Sequence, residues 1–117
     1  MSQALPGRSP SESEISVEEA IGRVAAGDGW LLDVREPHEW RSAHAPDAHH
    51  IPMSELLSRQ DELPDDETIY VICHVGGRSR SVTDALLAAG YPAVNVAGGM
   101  LAWHAADGPV LSLDEDN

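Results

Sequence analysis

The 117-residue chain has no lysine and only one cysteine, and no run of apolar residues in it approaches the roughly 18 that cross a bilayer. Seven arginines stand against 20 aspartates and glutamates, for a formal net charge of −13. A field of that sign repels nucleic acid and anionic membrane surfaces, and the basic clusters that such partners reward are missing. The lone Cys73 excludes an internal disulfide and any CxxC redox or zinc motif. It is therefore inert core, a nucleophile or an intermolecular partner. The opening Met1-Ser2-Gln3-Ala4-Leu5-Pro6-Gly7 has no apolar h-region of a secretion signal, so a cytoplasmic protein is expected.

What is present is one small acidic domain. A chain of this length buries roughly two-thirds of the surface that its unfolded form exposes, enough for one core without disulfides or structural metal. The charge is unevenly spread. Residues 1–72 carry 15 acids against five arginines, and residues 107–117 carry four acids and no arginine. Residues 73–106 carry only Asp84 against Arg78 and Arg80, so the one segment that is not acidic begins at the cysteine.

Residues 1–14 are rich in Ser, Pro, Glu and Gly and read as a disordered lead-in, residues 15–110 as the domain, and residues 111–117 as a frayed acidic tail. Order is expected from Ser16, which with Glu19 has the spacing of a capping box. Val17, Ala20, Ile21, Val24 and Ala25 then share one face of a helix that Gly27 can end. Trp30 to Val34 reads as a buried strand, Glu36 to Ser42 as a helical turn or two, and His50-Ile51 as a brief extended piece. Ser54 can cap a short helix that carries Leu56 and Leu57. Thr68 to Cys73 is an unbroken run of β-formers, the pattern of a strand covered on both faces. A helix is expected from about Ser79 to Ala89 with Val82, Ala85, Leu86 and Ala89 inward, then a strand at Ala93 to Val96 and a helical stretch at Met100 to Trp103. This alternation predicts an α/β three-layer sandwich, with a mainly parallel central sheet flanked by helices. Ligands of such folds bind beyond the carboxyl ends of the strands. Cys73 ends one predicted strand, and Asp33 and Arg35 end another.

Cys73-His74-Val75-Gly76-Gly77-Arg78-Ser79 joins a strand to a helix through a glycine-bearing loop. Such a loop turns successive backbone N–H groups toward one point, and the following helix end and Arg78 add positive potential, so it binds anions. The anion can be the cysteine's own sulfur. A free thiol of pKa about 8.5 is only about 3% ionised at pH 7, whereas helix N-termini and arginines bring thiols to about 3.5–7.5. Cys73 would then be a nucleophile without a neighbouring base. The bland alternative is a small buried hydrophobe that finishes an apolar strand, but a core cysteine has no use for a glycine-rich anion loop with an arginine.

Four stretches in order resemble the rhodanese-like sulfurtransferases. Asp33-Val34-Arg35-Glu36 with Glu39-Trp40 is similar to that family's D-V-R-E segment, and His44-Ala45-Pro46-Asp47-Ala48 with Ile51-Pro52 to its H-I-P-G-A…I-P stretch. Cys73 to Ser79 resembles its C-x-x-G-x-R-S active loop, and Val96 to Trp103 with Gly108-Pro109-Val110 its C-terminal signature. Departures at Ala43, Ala45 and Asp47 fall in the connecting turn. The resemblance implies that Cys73 takes sulfane sulfur from a small anionic donor, thiosulfate, or from a persulfide, and passes it as a Cys73 persulfide to a thiol or cyanide acceptor. It implies no cofactor. The amides of His74, Val75, Gly76, Gly77, Arg78 and Ser79 would cradle the persulfide, Arg78 would neutralise the donor's sulfonate, and Asp33 and Arg35 would brace the loop. The acidic surface suits a basic sulfur-acceptor protein.

The other candidates are weaker. His74 could shuttle protons or face solvent, and Arg80 could assist the donor or lie on the helix surface. His44, His49 and His50 have no cysteine or carboxylate at ligand spacing, so no metal site is expected and a surface position is. A cysteine phosphatase or arsenate reductase of related fold needs a wider loop, C-x-x-x-x-x-R, whereas Arg78 is the fifth residue after Cys73. Four intervening residues suit a single sulfur better than a tetrahedral oxyanion. A third reading is a non-enzymatic module for sulfur relay or binding.

Overall fold

Ser16 accepts a 3.1 Å hydrogen bond from the Glu19 amide and so opens the first helix, α1 (Val17–Ala25). This is half of the expected capping box, because the Glu19 carboxylate is held by Arg23 one turn later. The computed structural model describes residues 13–113, so most of the expected lead-in (residues 1–12) and the end of the tail (114–117) lie outside the described residues. Three further helices follow, α2 (Pro37–Ser42), α3 (Gly77–Ala88) and α4 (Gly99–Ala105). The strands are β1 (Glu14–Ile15), β2 (Trp30–Asp33), β3 (Ala48–His50), β4 (Ile69–Ile72) and β5 (Ala93–Val96).

The strands form one sheet in the order β1-β5-β4-β2-β3, with every pairing parallel. Side chains alternate along β4 and so serve both faces. Tyr70 and Ile72 join Val17, Ala20, Leu31, Val94, Val96, Met100 and Trp103 beneath α1 and α4. Ile69, Val71 and Cys73 join Leu32, Val34, Ile51, Ala93, Val82 and Leu86 beneath α3. Two covered faces explain why β4 and β5 are buried at every position.

Four details differ from the sequence reading. Order begins before Ser16, because Glu14 and Ile15 pair with Asn95 and Val96 and cover the otherwise open edge of β5. The tail is tied down as far as Leu113: Leu111 exchanges backbone hydrogen bonds with His44 (2.7 and 2.9 Å), and the Leu113 amide donates to the Arg41 carbonyl at 2.8 Å. The helix expected after Ser54 is two separate 3-10 turns, Met53–Glu55 and Gln60–Glu62. Finally, α3 starts two residues early and buries a rotated face, Ser79, Val82, Thr83 and Leu86, which leaves Ala85 and Ala89 exposed. The reason lies in the site, where Ser79 must face a sulfur.

Candidate active site

Cys73 stands one residue past the end of β4 and is 1% exposed. Gly76 takes φ +114, a conformation open to glycine, and this turn lets α3 begin at once. The first helical hydrogen bond runs from the Arg80 amide to the Gly76 carbonyl at 3.0 Å, so the amides just inside the helix have no partner of their own within it. They turn to the sulfur. Gly76 N–H donates to Cys73 Sγ at 3.1 Å and Ser79 N–H at 3.3 Å, while Ser79 Oγ lies 3.2 Å from Sγ. Burial pushes the thiol's pKa up. The Ser79 hydroxyl and the amides of Ser79, Gly76 and Arg78 outweigh it, and the net position is below the ordinary thiol value.

The carbonyls of the same loop point the other way and are held by α4. Met100 N–H donates to the Cys73 carbonyl at 2.7 Å and Leu101 N–H to the His74 carbonyl at 3.0 Å. The preceding glycine is obligatory on two counts: Gly99 has φ +60, and a Cβ there would collide with the carbonyls of Cys73 and His74. Each free amide at the start of α4 thus fixes the loop with its N–H groups inward.

Arg78, expected to meet the donor's sulfonate, is engaged elsewhere. Its two terminal nitrogens donate to the two carboxylate oxygens of Glu39 at 2.8 and 2.9 Å, a fork-to-fork pair between α3 and α2. The Arg78 hydrogen bonds hold the Glu39 carboxyl at a pKa of about 2, and the pair raises that of the guanidinium. Glu39 also accepts from the Glu36 amide at 2.9 Å, which closes the first turn of α2. Sequence reasoning gave Glu39 no role, although it stands in the segment Asp33-Val34-Arg35-Glu36-Pro37-His38-Glu39 that carried the resemblance.

Asp33 and Arg35 meet as a buried ion pair. Arg35 Nε donates at 3.0 and 3.1 Å to the two Asp33 oxygens and Nη2 at 2.8 Å to one of them, with Asp33 fully enclosed. Arg35 Nη2 also donates to the Ala43 carbonyl at 2.6 Å. The side chains of the pair therefore anchor the end of α2, and with it Glu39, and among the described residues they make no hydrogen bond to the Cys73 loop.

A cleft of about 370 Å³ adjoins the loop, lined by His38, Glu39, His74, Met100, Leu101 and His104 among others. Val75 and Gly77 are exposed on the loop's outer side, as is His74. Arg80 takes the surface option, with Nη2 donating to Asp84 at 2.7 Å and to Ser13 at 3.0 Å. Of the histidines expected at the surface, His49 is exposed, His50 half-buried and His44 buried, and all three stack on tryptophans: His44 on Trp40 (ring centroids 3.7 Å apart), His50 on Trp40 (4.7 Å) and His49 on Trp30 (3.9 Å). His44 is buried, and its Nδ1–H donates to the Trp40 carbonyl at 2.7 Å. Of the sequence-predicted residues, Cys73, Gly76, Arg78 and Ser79 come together at the sulfur through their backbone and the Ser79 side chain.

A family model described as rhodanese-like domain matches residues 16–106. The "Putative sulfur carrier protein YrkF" of Bacillus subtilis is 39% identical over 92 residues, which cover 77% of this chain and 50% of that protein, so the chain spans half of that relative's length. A rhodanese-related protein from Thermoplasma volcanium superimposes with a TM-score of 0.80 at 31% identity, covering 86% of this chain and 98% of that one. A rhodanese-like domain protein from Staphylococcus aureus does so with a TM-score of 0.74 at 33% identity, covering 78% and 90%.

Proposed function

The chain belongs to the rhodanese-like domain family, a sulfur-transfer type of domain, and from that premise we propose that it is a cytoplasmic sulfurtransferase that carries sulfane sulfur on Cys73. The observation behind this reading is the sulfur's surroundings. One buried thiol receives two backbone amides and faces a hydroxyl, and its pKa is lowered despite burial. A core cysteine has no such partners.

The chemistry runs in two displacements. The Cys73 thiolate attacks the outer sulfur of thiosulfate. The new S–S bond forms as the old one breaks, and sulfite leaves with two negative charges, so the Cys73 persulfide keeps the single charge that the thiolate brought. A persulfide donor R–S–S⁻ reacts in the same way and releases R–S⁻. An acceptor thiolate or cyanide then takes the outer sulfur and returns Cys73 as the thiolate. No oxidant or reductant is consumed.

The Ser79 hydroxyl supports both charge states. With Cys73 protonated it donates to the Gly76 carbonyl at 3.2 Å and accepts from the thiol, and with Cys73 ionised it turns its proton to the sulfur. The named kinship to a sulfur carrier also favours relay of the persulfide to a protein acceptor, for which a basic partner suits the net −13.

Mass spectrometry after incubation with thiosulfate or a persulfide tests the reading. A gain of about 32 Da, one sulfur, on Cys73 is expected with double-displacement kinetics, and Cys73→Ser abolishes both. A protein that hydrolyses an aryl phosphate but never carries the extra sulfur sinks the proposal.

A further inference from the structure

Every arginine beside the site already faces a carboxylate. Arg78 spends its two terminal nitrogens on Glu39, and Arg35 spends its Nε and one terminal nitrogen on Asp33 and the Ala43 carbonyl. Arg80, one residue beyond the loop, is taken up by Asp84 and Glu14. Of these carboxylates Glu39 alone lines the cleft next to His74; Arg35 lines it too, with its guanidinium held by Asp33 and the Ala43 carbonyl, whereas the guanidinium of Arg78 is reached through its pair with Glu39. Thiosulfate brings two negative charges and must release them with sulfite. An alkyl persulfide brings at most one.

Resting on the sulfurtransferase reading, we infer that Glu39 is a specificity-determining residue: by neutralising Arg78, it turns the site away from thiosulfate and toward persulfide donors of low charge. With such a donor the Cys73 thiolate attacks the terminal sulfur of R–S–S⁻ and R–S⁻ leaves with one negative charge, so the Cys73 persulfide keeps the single charge that the thiolate brought. Atoms and charge balance without a co-reactant. The loop amides stabilise the sulfur in either case, because they face Cys73 and not the donor's leaving group. Glu39 acts only on the charge that the leaving group carries, so its effect belongs to the choice between donors.

The experiment compares wild type, Glu39→Gln, Glu39→Ala and Glu39→Asp at low salt and about pH 8, where imidazoles carry little charge. Loading of Cys73 is followed as the one-sulfur mass gain, with sodium thiosulfate and, separately, with 2-hydroxyethyl persulfide generated in situ. The ratio of thiosulfate to persulfide kcat/KM is expected to rise by about tenfold or more in both neutral variants, and to stay within about threefold of wild type in Glu39→Asp. Damage to the loop lowers both donors together and leaves the ratio where it was, and that result overturns the inference by making Glu39 a brace for Arg78. An aspartate variant that behaves like the neutral ones overturns it too. Wild type that loads from neither donor overturns the sulfurtransferase reading itself, whereas loading with an unmoved ratio overturns only the role of Glu39.

Discussion

The Met100 amide donates to the Cys73 carbonyl at 2.7 Å, so the helix that follows β5 decides which way the loop after β4 faces. With that carbonyl held on one side, the amides of Gly76 and Ser79 are left on the other, around the sulfur. The thiol's environment is thus set from two helix starts at once, α3 supplying the donors and α4 their orientation.

Gly99→Ala breaks this arrangement. The new methyl meets the carbonyls of Cys73 and His74, which are backbone and cannot move aside, in a conformation of φ +60 that alanine resists. A loss of about 2 kcal/mol or more is expected in urea denaturation, together with slower sulfur loading of Cys73. A variant of native stability and activity contradicts the docking role of α4.

Ser79→Ala keeps the amide and removes the hydroxyl from the sulfur. The thiol pKa rises, because the largest stabilising contribution is gone while burial still opposes ionisation. At pH 7 alkylation by iodoacetamide slows by about three- to tenfold, and the inflection of rate against pH moves upward.

Glu39 gives the fold a pH dependence at the acid end. Its carboxyl titrates at about 2 in the folded chain against an ordinary 4.5, a depressed pKa, so its stabilisation is complete above about pH 4.5 and is lost as the pH falls toward 2. With Arg78 partly exposed and the pair screened, the contribution is on the order of 1–2 kcal/mol. Glu39→Gln lowers stability at neutral pH by that amount and flattens its fall between pH 4.5 and 2, read by urea melts across the range.

Arg35→Met leaves the fully enclosed Asp33 carboxylate without its partner. A loss of about 3–5 kcal/mol is expected, and the double variant with Asp33→Asn loses less than the two single losses added together, because no buried charge is then stranded. Purely additive losses would show that the two side chains do not act as a pair.

The β-former run at Ile69 to Ile72, the cap at Ser16 and the helical period of Val17, Ala20, Ile21 and Val24 made the layers legible before any coordinates. Cys73 to Ser79 marked the candidate site for the same reason, since the thiol, the glycine turn and the helix amides that meet at the sulfur lie within a few consecutive residues. Reading failed where a residue's task depends on something distant in the chain. β1 was hidden because two residues carry no period, and they are strand only because β5 offers an open edge.

Local order in this protein is written in short-range terms, in periods, caps, turn glycines and one contiguous loop, and the amino-acid sequence determined those by itself. The tertiary structure decided the rotation of α3, which follows from aiming Ser79 at the sulfur and so buries Thr83 and exposes Ala85. It also decided which carboxylate the loop's arginine meets. Glu39 lies 39 residues from Arg78, and no spacing rule connects them. Only the packing of α2 beside the first turn of α3, anchored by the buried Asp33–Arg35 pair, brings the two charges into contact and cancels the positive potential that the bare loop promised.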